Sequence, residues 1–189
     1  MGWPYMASFA STAKATASFA LLSKPSCSLV ITSQPGVRRD ILCAGNPAVF
    51  DFVEKVLEEV IGLFPSKYIH IGGDESPRTR WRECPECQSL IRRAGLKADA
   101  RHSAEDKLQG YFNTRIEEFL ARHGRRLIGW DEIVDGGMSP DATVMSWRGT
   151  AGGIRAADEG FDVIMSPNSS LYFDYYQSAN IDTEPPTIG

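Results

Sequence analysis

Between Asn46 and Ser166 the chain alternates helix-like and strand-like segments in a fixed order, and this alternation limits the possible folds more than any other property. Asn46 followed by Pro47 reads as an N-cap and first helical position; Val49, Val53, Val56, Leu57 and Val60 then recur at helical spacing, up to a stop near Gly62. After a short FPS turn, residues 67–71 carry the β-rich pattern YIHI, halted by Gly72 and Gly73. A polar loop and a helix from about Glu86 to Ala94 follow. Ser103 opens the longest helix, with Asp106 approximating a capping box and Leu108, Phe112, Ile116, Phe119 and Leu120 on the buried face. RRLIGW (125–130), ATVMSW (142–147) and FDVIMS (161–166) read as strands, with a short helix from Gly153 to Glu159 before the last. Such an order predicts βαβ units around a parallel sheet.

The polar and aromatic singularities fall in phase with this map. Asp74 and Glu75 follow the first strand; Trp130, Asp131 and Glu132 close the second; Trp147 and Arg148 close the third; Tyr172 and Asp174 come shortly after the fourth. In a parallel barrel the carboxyl-end loops build one pocket, so four clusters in phase can converge. An open doubly wound sheet also binds ligands at that end, but usually at one switch point. The repetition favours a (β/α)8 barrel, and 189 residues fall short of the roughly 250 of a complete one.

HIGGDE at 70–75 is the strongest local signal. Two glycines allow a sharp turn at the strand end, and two adjacent carboxylates then share a small region, where mutual repulsion is expected to raise at least one pKa. A carboxylic acid still protonated near neutral pH can protonate a leaving group. Trp130 and Trp147 offer apolar walls with one donor each, suited to a sugar ring or an acetamide methyl. Tyr172 and Asp174 add hydrogen-bonding groups. His70 projects from the strand away from Ile69 and Ile71 and is a candidate to orient a carboxylate, although a satisfied core histidine is the commoner case.

Other chemistries are disfavoured. The composition, 42% hydrophobic and 23% charged, excludes a disordered or collagen-like chain, and no apolar run approaches the ~18–20 residues of a membrane span. A net charge of −4 argues against a nucleic-acid partner. Gly-rich pieces such as GTAGG lack the residues of a P-loop or dinucleotide site, so no cofactor is expected. Cys84 and Cys87 form CPEC, half of a zinc site at most, with no second CxxC or HxxxH near it; Cys27 and Cys43 are not at metal-ligand spacing from each other. The simplest expectation is a loop with a local CxxC disulfide and no metal. Residues 1–40, rich in Ala, Ser and Thr and acid-free before Asp40, lack the basic start and long apolar core of a secretory signal and form a poorly assigned segment ahead of a catalytic unit at 41–189.

With these residues assembled, the chain resembles glycoside hydrolase family 20, the β-N-acetylhexosaminidases. The resemblance runs from about Ile41 to the C-terminus through LCAGNP (42–47), FPSKYIHIGGDE (64–75), GWDEI (129–133), VMSWRG (144–149) and YFDYYQ (172–177). It implies retaining hydrolysis of terminal β-linked N-acetylglucosamine or N-acetylgalactosamine by substrate-assisted catalysis, an exception to the two-carboxylate scheme. By that resemblance Asp74 orients the substrate's acetamide, Glu75 is the acid and then the base, Trp130 and Trp147 wall the acetamide, Tyr172 donates to its carbonyl and Asp174 holds a sugar hydroxyl. Asp131 and Glu132 are supporting candidates, and Arg148 is expected to brace the loop. The resemblance also implies an incomplete barrel, holding about strands four to seven, without the sugar-gripping Arg early in the barrel or the Trp and Glu near its last strand. Family members are commonly exported. Partners expected are N-acetylhexosamine glycans and, through open barrel edges, a second copy. A competing expectation is a silent saccharide-binding or assembly remnant; an unrelated α/β hydrolase would need a G-x-S-x-G elbow, which is lacking.

Overall fold

The computed structural model describes residues 41–176 and 178–183. The segment 1–40, with Cys27, lies outside the described residues. Helix α1 (Pro47–Leu63) begins as the sequence dictates, with the Asn46 side chain accepting the Ala48 N–H at 3.1 Å and Pro47 at the first position. Strand β1 (Tyr68–His70) follows. Next come α2 (Thr79–Glu83), α3 (Pro85–Arg93) and α4 (Ala104–Arg122), then β2 (Arg126–Trp130), a 3-10 turn over Asp131–Gly136, β3 (Thr143–Ser146), α5 (Ala151–Asp158), β4 (Asp162–Met165) and the single turn α6 (Asn168–Leu171). The capping box of α4 forms in full: Asp106 N–H donates to Ser103 Oγ at 3.1 Å, and Ser103 N–H donates to Asp106 Oδ2 at 2.8 Å.

All pairings are parallel and the strand order is β1-β2-β3-β4. Among the described residues the order never reverses and no switch point of the doubly wound kind occurs; this is the topology of consecutive barrel strands. Ile69, Leu127 and Val144 point to one face and are buried against α1 and α4 with Phe50, Leu57, Ile116, Phe119 and Leu120. The other face is the lumen side. There the register aligns His70 with Ile128, and Trp130 with Met145 and Ile164. Ile164, on the outermost strand, is 37% exposed.

The sequence pattern predicts a polar loop ahead of the helix at about Glu86, whereas the structure forms α2 there and buries Trp81. The reason is tertiary: Trp81 Nε1 donates to the Leu42 carbonyl at 2.9 Å, and its ring joins a second core of Cys43, Ala44, Val49, Cys84, Cys87, Ile91 and Leu108. A five-residue helix has too short a period to announce itself. The 3-10 turn after β2 was also unforeseen. It lies so close to α4 that Gly110 and Gly136 meet backbone to backbone, and a Cβ on either would fall on the other's main chain.

Candidate active site

The site is assembled from four strand ends. After β1 the chain turns through Gly72 and Gly73, both at positive φ (78° and 93°). A Cβ at Gly73 would stand 2.6 Å from Ile133 Cγ2, so both backbone freedom and space require glycine there. Asp74 follows, half-buried, and then Glu75, exposed. Glu75 has φ 45° and, among the described residues, is the non-glycine held at positive φ. A side chain kept in that sparsely populated region signals a backbone over-determined by its surroundings.

Those surroundings come largely from α4. The Gln109 side chain donates to the Gly73 carbonyl at 2.8 Å. Arg78 donates to Gln109 Oε1, to the Ser76 carbonyl and, through Nε, to Asp106 Oδ1 at 3.1 Å. Arg78 and Gln109 were not among the sequence candidates. Gln109 sits on the buried face of α4, where a polar residue is anomalous, and that anomaly was the available signal.

The opposite wall is aromatic. The His70 ring packs edge-on against Trp130 (4.9 Å between centroids), Trp130 edge-on against Trp147 (6.5 Å), and Trp147 lies nearly parallel to Tyr172 (6.5 Å, 17°). Trp147 is oriented by its Nε1, which donates to both oxygens of Glu132 at 3.1 and 3.2 Å. Arg148 Nε donates to Asp131 Oδ1 at 3.2 Å and lies 3.6 Å from Glu132 Oε1, tying the two loops together. Asp131 is 3% exposed, so it braces the loop and cannot meet a ligand directly. Asp174 is exposed on the segment after α6.

Burial raises the Asp74 carboxyl above its usual range. The cause is desolvation, where the sequence argues for repulsion between the two neighbouring carboxylates. Burial, and then the charges of Asp74 and Asp174, raise Tyr172, so these three groups share one electrostatic region. Among the described residues the hydrogen-bond partner of His70 is a backbone amide and not a carboxylate. The ring's Nδ1 accepts the Gly72 N–H at 3.0 Å, which leaves the proton on Nε2, buried without a partner among the described residues; burial lowers its pKa to about 4 and keeps it neutral.

Burial pushes Glu132 in the opposite charge sense, up to about 7 from 4.5, against the Trp147 and Arg148 contacts that lower it. Between pH 4.5 and 7 the folded state therefore holds a proton that the unfolded state lacks, and stability falls as pH rises. For His70 the unfolded state holds the extra proton between about 4 and 6.5, so stability rises with pH. The two slopes oppose each other. Urea unfolding of Glu132→Gln at several pH values is expected to expose the His70 slope, with stability climbing from pH 4.5 to 6.5 more steeply than in the parent. Parallel profiles for the two proteins would show that Glu132 does not titrate in this window.

The model of the glycosyl hydrolase family 20 catalytic domain matches residues 9–189, a span that begins ahead of Ile41. A β-hexosaminidase of Porphyromonas gingivalis is 52% identical over 155 residues, covering 82% of this chain and 19% of that protein. The solved GH20 exo β-N-acetylglucosaminidase of Vibrio harveyi in complex with N-acetylglucosamine is 34% identical, with a TM-score of 0.66 over 73% of this chain and 21% of the other. The chitobiase of Flavobacterium johnsoniae is 30% identical, with a TM-score of 0.65 over 77% and 22%. The chain thus spans about a fifth of the length of these relatives, and its four parallel strands are part of an incomplete (β/α)8 barrel. An acid-bearing Gly-Gly turn, an aromatic wall in the same phase and a family model matched across the described strands lead to one assignment: the chain belongs to glycosyl hydrolase family 20.

Proposed function

We propose that this chain carries the acid-bearing part of an enzyme that removes terminal, non-reducing β-linked N-acetylhexosamine from glycans or chitooligosaccharides, with retention of configuration. The observation that carries the proposal is the pairing of Asp74 and Glu75 on one turn at the end of the sheet that holds Trp130, Trp147 and Tyr172, with the charge of Asp74 felt at Tyr172. Adjacent residues cannot flank a sugar ring from opposite faces, as a separate nucleophile and acid must. The nucleophile is therefore assigned to the substrate. Its acetamide oxygen attacks the anomeric carbon, the glycosidic C–O bond breaks, and Glu75 gives its proton to the departing oxygen. Asp74 holds the acetamide N–H and offsets the positive charge that develops in the oxazolinium ion. Water then attacks the same carbon, Glu75 takes its proton, and the acetamide is restored. Held intramolecularly, the acetamide acts at high effective molarity. Trp130 and Trp147 enclose its methyl, Tyr172 donates to its oxygen, and Asp174 holds a ring hydroxyl.

Hydrolysis of p-nitrophenyl N-acetyl-β-glucosaminide, compared with the β-glucoside that lacks the acetamide, tests the scheme. Turnover is expected only with the acetamide, and a thiazoline analogue of the oxazoline is expected to compete. Equal turnover of the two glycosides would rule the scheme out. The exposure of Ile164 and Met165 on β4, at the edge of the described sheet, favours a second reading. In that reading the chain binds saccharide or assembles through the edge of its sheet without robust turnover, which light scattering beside the same assay would register.

A further inference from the structure

The described residues contain one cluster that the hydrolytic scheme does not use. Cys43 precedes α1, Cys84 caps α3 and Cys87 lies in its first turn, and all three are 0% exposed. Cys43 Sγ lies 3.8 Å from Cys84 Sγ and 3.7 Å from Cys87 Sγ, and the three sulfurs all lie within 4.8 Å of one another. Cys43 stands 41 positions before Cys84, so it forms no CxxC or HxxxH pattern with CPEC in the sequence. The fold removes that separation: the backbone of Gly45 rests on the Glu86–Cys87 peptide so closely that no side chain fits between them. The expected Cys84–Cys87 disulfide is absent.

We propose that Cys43, Cys84 and Cys87 bind a structural zinc ion. A tetrahedral zinc with Zn–S bonds of about 2.3 Å holds its sulfurs roughly 3.8 Å apart, the spacing that Cys43 keeps to both partners. A disulfide needs about 2.05 Å and could join only two of the three sulfurs. The Cys87 N–H donates toward Cys84 Sγ at 3.5 Å, as a thiolate at a helix N-terminus accepts. Glu86, with Oε2 3.7 Å from Cys43 Sγ, stands beside the cluster as an oxygen donor for the fourth position. Binding converts three thiols to thiolates and releases three protons, so affinity falls as pH falls. The ion would pin the segment before α1 to the α2–α3 turn. Trp81 and Arg78 belong to that region, and Arg78 in turn holds the Ser76 carbonyl behind Glu75. The zinc is thus a brace beneath the catalytic loop, not a participant in hydrolysis.

The test needs no activity. Protein purified without chelator is expected to carry about one zinc per chain, with X-ray absorption showing sulfur neighbours near 2.3 Å. Cobalt exchanged into the site is expected to give intense sulfur-to-metal charge-transfer bands and the visible absorption of a tetrahedral ion. Chelation is expected to lower the melting temperature of the parent. Cys84→Ser is expected to lose the metal; should that variant fail to fold, the zinc content and cobalt spectrum of the parent decide alone. Reduced, folded parent protein that retains no zinc and gives no charge-transfer band overturns the proposal, as does a disulfide found by mass mapping between any two of Cys43, Cys84 and Cys87.

Discussion

Glu75→Gln is expected to lower kcat on chitobiose about 10²–10⁴-fold, the usual contribution of a positioned general acid. The sugar alcohol that departs is a poor leaving group and needs its proton in the transition state. A 2,4-dinitrophenolate leaves without one. With the dinitrophenyl glycoside, and azide in place of water to bypass the base in the second step, the same variant is expected to recover most of the parent's rate. An equal loss on both substrates would show that Glu75 holds the loop or the sugar and does not transfer a proton. The isosteric change keeps the side chain's size and leaves the backbone at φ 45° with a residue of similar steric demand, so folding is not the variable.

The second large effect concerns stability. Gly110 lies inside α4, where replacement by Ala should by helix propensity alone stabilise the fold by roughly 0.5–1 kcal/mol. Packing opposes this, because the new Cβ would be driven onto the main chain of Gly136 and neither backbone can step aside without moving α4 away from the turn behind β2. Overpacking a rigid contact costs about 1–3 kcal/mol and more when backbone is displaced, so the net expectation for Gly110→Ala is a loss of about 2–3 kcal/mol. Gly62→Ala, near the end of α1 where a Cβ meets nothing within 4 Å, is the control and should be neutral or slightly stabilising. Urea midpoints of the two variants would decide the matter. If Gly110→Ala were as stable as the parent, the close approach of α4 would not be a determinant of the fold.

What the sequence disclosed, and what it withheld, divides along the range of the interactions. Asn46-Pro47, the Ser103–Asp106 box and the glycine stops act within a few residues, and they mark α1 and α4 to within a residue or so of where they begin. Strand phase is also local, which is why Asp74, Glu75, Trp130 and Trp147 could be assigned to one end of the sheet. The remainder depends on contacts between distant segments. Nothing near Arg78 indicates that it will reach Gln109 on α4, and nothing in CPEC indicates a third cysteine from before α1. His70 was placed on the correct strand, but its partner is the Gly72 N–H two residues on, a choice fixed by the turn and not by the pattern of the strand.

The left-handed backbone at Glu75 bears on how this position can change over generations of mutation. Glycine would occupy φ 45° without strain, and selection for a sturdier fold alone would draw residue 75 toward it. Glycine, however, cannot hold or release a proton. On the proposed scheme folding and turnover therefore press on this codon in opposite directions, and a descendant that no longer hydrolyses glycans should drift here before it drifts in the core.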